Sequence, residues 1–213
     1  MEGPAFREIP PLTAAHLDNA RLFASRYDMI AQLGIGAGGV VTEVGVALGD
    51  FSQFILDTLK PSRFVAIDTF DMRNLTNIWG RTSAEVFAGK THEEFYRDRF
   101  ASEGERVKIC TGLSDQVLAG FPDHSFDFIY VDAYHSYEAV RDDAVVASRK
   151  IKPNGVVVFN DYTTFDRYLN APYGVVEAVN ELVVAGSWKV IGFGLEKNMF
   201  CDIAVRRSAD QGR

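Results

Sequence analysis

Two glycine-rich stretches stand almost back to back in this chain, GIGAGG at Gly34 to Gly39 and EVGVALGDFS at Glu43 to Ser52. A glycine turn that follows a strand and opens a helix lets backbone amides approach a bound cofactor, and the helix N-terminus receives negative charge. GIGAGG fits the dinucleotide pattern G-x-G-x-x-G by letter, but it follows a helical pattern and precedes a strand. Its glycines read better as a helix end and a link into the next strand, because glycine tolerates the left-handed backbone that helix ends need. The second stretch, Glu43-x-Gly45-x-x-x-Gly49, has the right place: a strand before it and a helix after it. Further acids close strand-like runs at Asp68 (AIDTF), at Asp132 with His135 three residues on (VDAYH), and at Asp161 beside Asn160 (FNDY).

These residues need a scaffold that brings strand ends together. Apolar side chains at Leu17, Ala20, Leu22, Phe23, Tyr27, Ile30 and Leu33 predict an amphipathic helix over 13–33, capped by Thr13. VVTEVG, RFVAIDTF, RVKICTG, SFDFIYVDA and GVVVFNDY read as five strands separated by helical stretches, and WKVIGFG and MFCDIAVRR close the chain as an antiparallel hairpin. Strands alternating with helices call for an α/β fold, a doubly wound, mostly parallel seven-stranded sheet with helices on both faces. Ligands then bind outside the carboxyl ends of the strands, where strand order reverses. The stretch 71–105 carries Trp79, Phe87, Phe95, Tyr96 and Phe100 without an intervening strand, which is long for a plain connection and predicts a lid or interface. Those aromatics either contact a ligand or pack the insertion against the sheet. The whole of 1–213 reads as one domain, with 13–39 as an N-terminal helix and linker.

With the glycine turn and Asp68 in register, the chain resembles the Rossmann-like class I methyltransferases that use S-adenosylmethionine. The resemblance implies that Glu43, Gly45 and Gly49 lie at the methionine part of the cofactor and that Asp68, with Thr69 beside it, holds the ribose hydroxyls. Gly112, Leu113 and Ser114 of TGLSD would meet the adenine. Ser114 reads equally as a helix cap, and Glu43 as a structural residue bonding the loop. More narrowly, FDFIYVDAYHSYEAV with IKPNGVVVFNDY resembles the small macrocin-type sugar O-methyltransferases. That likeness implies Asp132, Asn160 and Asp161 as ligands of magnesium or another divalent ion, since oxygen donors suit hard cations. Asn160 stands where an acid is usual. Asp132 and Asp161 have a second reading as residues that only shape the pocket. His135 becomes a general base for an acceptor hydroxyl, or a residue at a helix start; Asp132 shares the catalytic position and also borders the cofactor. Tyr134 and Tyr162 are candidates for acceptor contact. His16, His92 and His124 read as surface residues. The implied reaction is methyl transfer to a hydroxyl of a small molecule, a sugar or a natural product. The rivals are a nicotinamide-dependent oxidoreductase built on GIGAGG and a noncatalytic protein that keeps the cofactor fold.

Composition narrows the partners. Of 213 residues, 47% are hydrophobic and 24% charged, the balance of an ordinary globular protein. Lys and Arg number 22 against 29 Asp and Glu, and the net charge of −7 has the wrong sign for a nucleic-acid partner. No apolar run is long enough to span a membrane and no basic-then-apolar leader opens the sequence, so a soluble, cytoplasmic protein is expected, with a homo-oligomer compatible with the sequence. Cys110 and Cys201 sit in apolar runs and are expected reduced.

Overall fold

The computed structural model describes residues 8–208. Its centre is the parallel core that the strand pattern predicts: β2 (Val40–Val44), β3 (Arg63–Asp68), β4 (Val107–Thr111), β5 (Phe126–Val131) and β6 (Ile151–Phe159). β9 (Trp188–Gly194) and β10 (Asp202–Arg207) form the antiparallel pair at the C-terminal end of the sequence. A two-residue-per-strand hairpin, β7 (Phe165–Asp166) with β8 (Ala171–Pro172), stands apart from the sheet.

The sheet has eight strands rather than seven, in the order β1-β9-β10-β6-β5-β2-β3-β4. The added strand is β1 (Leu17–Phe23), which pairs in parallel with β9. This corrects the expected helix over 13–33. Only a short 3-10 turn, Ala14–His16, and α1 (Arg26–Gln32), capped by Ser25 through the Asp28 amide at 3.1 Å, are helical there. The apolar spacing of 17–22 misleads because those side chains face no core: Leu17 and Leu22 are 48% and 68% exposed. The edge amides and carbonyls of β9 gain a partner instead, which outweighs a weak helical preference.

Side chains alternate across the strands, so each strand feeds two cores. Val65, Ile67, Ile129 and Val157 meet α5 (Ser114–Ala119), α6 (Tyr137–Lys150) and α7 (Val175–Val184). Phe64, Ala66, Phe128 and Tyr130 meet α1, α2 (Asp50–Leu59) and α4 (His92–Arg99). The insertion 71–105 holds a 3-10 turn at Met72–Asn74, then α3 (Ser83–Phe87), then α4. Phe87, Tyr96 and Phe100 are buried, so of its two readings these aromatics follow the packing one. Both cysteines are free, Cys201 buried and Cys110 half-buried. Among the described residues no helix is long and apolar enough to cross a membrane.

Candidate active site

Strand order reverses between β2 and β5, and a cavity of about 430 Å³ opens at the carboxyl ends beside that point. The turn after β2 forms one wall. Gly45 has φ +83°, and a Cβ there would lie 1.9 Å from the Asp132 carbonyl oxygen, so only glycine fits. Gly49, at φ +84°, begins α2, and its missing side chain leaves room for the Phe100 and Tyr96 rings. Gly45 lines the cavity; Gly49 shapes the turn from behind.

Asp68 ends β3 and borders the cavity. Its Oδ2 accepts the Val46 amide at 2.8 Å and the Ala47 amide at 3.3 Å, and its Oδ1 accepts the Phe70 amide at 2.7 Å. The carboxylate therefore ties the glycine turn to the loop after β3 and, with about four lone-pair sites, retains acceptor capacity toward a ligand. Thr69, Gly112, Leu113 and Ser114 line the cavity on the β3 and β4 side.

Glu43 lies elsewhere. It is buried behind the turn, where it accepts the Ser52 hydroxyl at 2.5 Å while Ser52 accepts the Tyr96 hydroxyl at 2.8 Å. Burial drives its pKa well up, with the charges of Asp132 and Asp68 adding to the rise and the Ser52 bond opposing it. The geometry is that of the structural alternative for this acid.

Helix α4 braces the same turn. His92 is fully buried rather than on the surface, and its Nε2 meets the Ala47 carbonyl at 2.6 Å. A carbonyl only accepts, so Nε2 donates, while Nδ1 is buried without a hydrogen-bond partner. Arg99 adds a bond to the Leu48 carbonyl and an ion pair with Asp50, each at 2.7 Å. No local signal in the sequence marks His92 for this position, because its partner lies 45 residues away.

Next to the Gly45 turn, the loop after β5 brings Asp132 and His135 to the cavity, and Asn160 and Asp161 follow β6 outside its lining. His135 Nε2 lies 3.6 Å from Asp132 Oδ1 and 3.8 Å from Asp161 Oδ2, buried and without a hydrogen-bond partner. Its ring stacks on Tyr173 at 4.5 Å and 7°, and Tyr173 is held by Asp166 at 2.9 Å. Burial pulls the His135 pKa down, but the Asp132 carboxylate and then Asp161 and Asn160 outweigh it, so the net shift is upward. Burial and the nearby Asp132 charge lift Asp161 to about 6. Asp161 also has a left-handed backbone, φ 52°, an uncommon conformation for a non-glycine residue.

The expected divalent-ion site finds no support in the structure. Among the described residues no three His, Cys, Asp or Glu side chains gather as metal ligands. Asn160 Nδ2 donates to Asp202 at 3.1 Å, and Asp132 and Asp161 both face the His135 imidazole. Asn160 and Asp161 do not line the cavity, and neither does Tyr162, whose hydroxyl bonds Asn180 at 2.5 Å. The wall that sequence reasoning left incomplete comprises Ala47, Asp71, Met72, Asn74 and Leu75, joining Trp79 and Tyr134. Of these, Trp79 is 73% and Tyr134 58% exposed.

The fold has many solved counterparts. A SAM dependent methyltransferase from Aquifex aeolicus is 14% identical, with a TM-score of 0.57 over 85% of this chain and 89% of that one. The O-methyltransferase TomG from Streptomyces achromogenes, solved in complex with SAM, is 16% identical, with a TM-score of 0.59 over 86% and 80% of the two chains. The O-methyltransferase from Bacillus cereus, in complex with SAH, is 16% identical, with a TM-score of 0.56 over 80% and 75%. No curated protein sequence matches significantly. Residues 42–162, which contain the glycine turn, Asp68, Asp132 and His135, match the family described as Methyltransferase domain, and the chain belongs to that family of methyltransferases.

Proposed function

We propose that the chain is an S-adenosylmethionine-dependent O-methyltransferase acting on a hydroxyl of a small molecule, such as a sugar or natural product. The observation that carries this reading is one cavity whose lining includes Gly45 of the glycine turn, Asp68, Asp132 and His135 together. The cavity falls within the size range of small-molecule sites. The turn at Gly45, where the close Asp132 backbone admits no Cβ, and the carboxylate of Asp68 fit the cofactor's amino acid and ribose. When bound, S-adenosylmethionine supplies a sulfonium methyl group that an oxygen nucleophile displaces in line.

The chain's own residues do the rest. Gly45 and Asp68 hold, Thr69 and the Gly112–Ser114 turn bound the adenine side, and Asp71–Trp79 roof the cavity as a lid. The His135 imidazole, with Nε2 turned to Asp132 and Asp161, takes the acceptor's hydroxyl proton on its other nitrogen, and the two carboxylates stabilise the imidazolium that forms. This chemistry contains no step through a divalent ion. GIGAGG lies between α1 and β2, at the opposite rim from Gly45, which favours the methyl-transfer reading over the nicotinamide one.

Calorimetric titration with S-adenosylhomocysteine tests the reading. Asp68→Ala should lose about 1.5 to 3 kcal/mol for each charge-assisted bond to the cofactor. Binding of NAD in place of S-adenosylhomocysteine by the wild type would sink the proposal.

A further inference from the structure

The GIGAGG stretch borders a second cavity, of about 370 Å³, at the amino-terminal rim of the sheet. Its walls come from four separate segments: Gly34–Gly36 after α1, His124 and Asp127 at the start of β5, Lys152–Val156 at the start of β6, and Arg206 near the end of β10. The gap exists because β6 departs from β5 there. Phe126 pairs with Ile151 and Phe128 with Val156, so the residues between, Lys152 to Gly155, bow away from the ladder. Gly34 and Gly36 leave open space, with nothing within 4 Å of where a Cβ would stand.

The charges in this cleft do not cancel. Asp127 is already satisfied by Lys152 Nζ and the Val40 amide, each at 2.7 Å. His124 holds its Nδ1 on the Ile151 carbonyl at 3.0 Å. Arg206 has no ion pair or hydrogen bond from its guanidinium among the described residues, and its Nε is buried without a partner. The Arg206 guanidinium is half-buried, lines the cleft and is uncommitted to any acid among the described residues, so its terminal donors are left to meet an anion there. Its planar donors match a carboxylate or a phosphate two at a time. Ile35, Pro153 and Val156 add an apolar wall, and the volume exceeds what a bare oxyanion fills.

We propose that this cleft is a second binding site, separate from the methyl-transfer cavity, for a small organic oxyanion whose charged group meets Arg206 and whose body lies against Ile35 and Pro153. The two sites lie at opposite ends of β5 and β6, so ligands occupy them without competing.

The test is calorimetric titration of the full chain with glycerol 3-phosphate, succinate and inorganic phosphate. Saturable binding of glycerol 3-phosphate or succinate, tighter than that of inorganic phosphate, is expected, and which of the two binds identifies the head group. Arg206→Gln should weaken it about tenfold or more, the loss of one charge-assisted pair. Gly36→Asp should do the same by adding a negative charge in open space, on a backbone that any residue adopts. Both variants should bind S-adenosylhomocysteine as the wild type does. If Arg206→Gln does not fold, Gly36→Asp decides. Three results would overturn the site: no saturable binding of either organic anion, binding that both folded variants retain, or displacement of the anion by S-adenosylhomocysteine.

Discussion

The His135 imidazole sits in a field of competing effects whose sum determines how it moves a proton. Burial disfavours its charged form, while Asp132, Asp161 and Asn160 favour it more strongly, so its pKa lies above the ordinary imidazole value. A base with a raised pKa is a stronger base but is free to accept over a smaller part of the neutral range. Turnover should therefore rise with pH through an ionisation above the usual histidine range. His135→Ala should lower kcat by about a hundredfold to ten-thousandfold and remove that rising limb, with S-adenosylhomocysteine affinity nearly unchanged. Wild-type turnover should persist in excess chelator, since Asp132 and Asp161 face the imidazole and form no ligand set with a third residue. A pH profile that keeps its limb in His135→Ala would reduce this residue to orienting the substrate. Tyr173 belongs to the same unit: its ring lies flat on His135 and fixes the plane in which Nε2 points.

Helix α4 is readable as a helix in HEEFYRDRFA, but its hold on the glycine turn is not. It supports the turn from beneath through His92, Tyr96 and Arg99, while the preceding segment, Asp71 to Trp79, borders the cavity. His92→Leu removes a buried hydrogen bond and leaves the Ala47 carbonyl without it, a loss of about 1 to 3 kcal/mol. The expected result is weaker S-adenosylhomocysteine binding together with a lower Tm, and His92→Gln, which can return an N–H to the same place, should recover most of the affinity. Equal affinity in both variants would show that α4 packs without steering the turn. The legible parts of this site were those with a local signature. Gly45, Asp68, Asp132 and His135 are readable because a strand, its last residue and the turn after it are contiguous in the chain. His92 on Ala47 and Glu43 on Ser52 with Tyr96 were not readable in that way, because such contacts exist only once helices pack. Strand β1 was missed for a related reason: helical spacing records which residues are apolar, and Leu17 and Leu22 are apolar but exposed.

On the scale of the whole molecule, the buried acids set a pH dependence opposite to that of most proteins. Burial raises the pKa of Glu43 strongly, of Asp143 and Asp161 to about 6 and of Asp202 to about 7. Asp202 is held by the Tyr130 hydroxyl at 2.7 Å and by Asn160, with the Arg26 charge opposing the shift. Neither Asp143 oxygen makes a well-formed hydrogen bond, and the nearby Ser114 hydroxyl only tempers the rise that burial drives. In the unfolded chain these groups titrate near about 4. Between that value and their folded values the native state holds protons that the unfolded chain has released, so stability falls as pH rises through the window. His135 acts in the same direction, because the stability from its raised pKa is present at low pH and lost as pH passes the folded value. Glu85, Glu93, Glu94 and Asp123 are shifted down by their own caps and ion pairs, but they lie in water, where such pairs contribute little. Asp166 opposes the trend: burial raises its pKa, but the Leu169 and Tyr168 amides and the Tyr173 hydroxyl bring the net shift down. The net charge of −7 adds self-repulsion as the remaining acids ionise. Stability, followed as Tm, should therefore fall between about pH 4 and about pH 7, by up to about 1.4 kcal/mol per pH unit for each proton held. Asp143→Asn, which replaces a buried carboxyl by a neutral group of the same shape, should flatten the slope without touching the residues around His135. A Tm that climbs from about pH 4 to about pH 7 in the wild type would mean that these acids are ionised in the native state and that the interior beneath the site is wetter than its packing indicates.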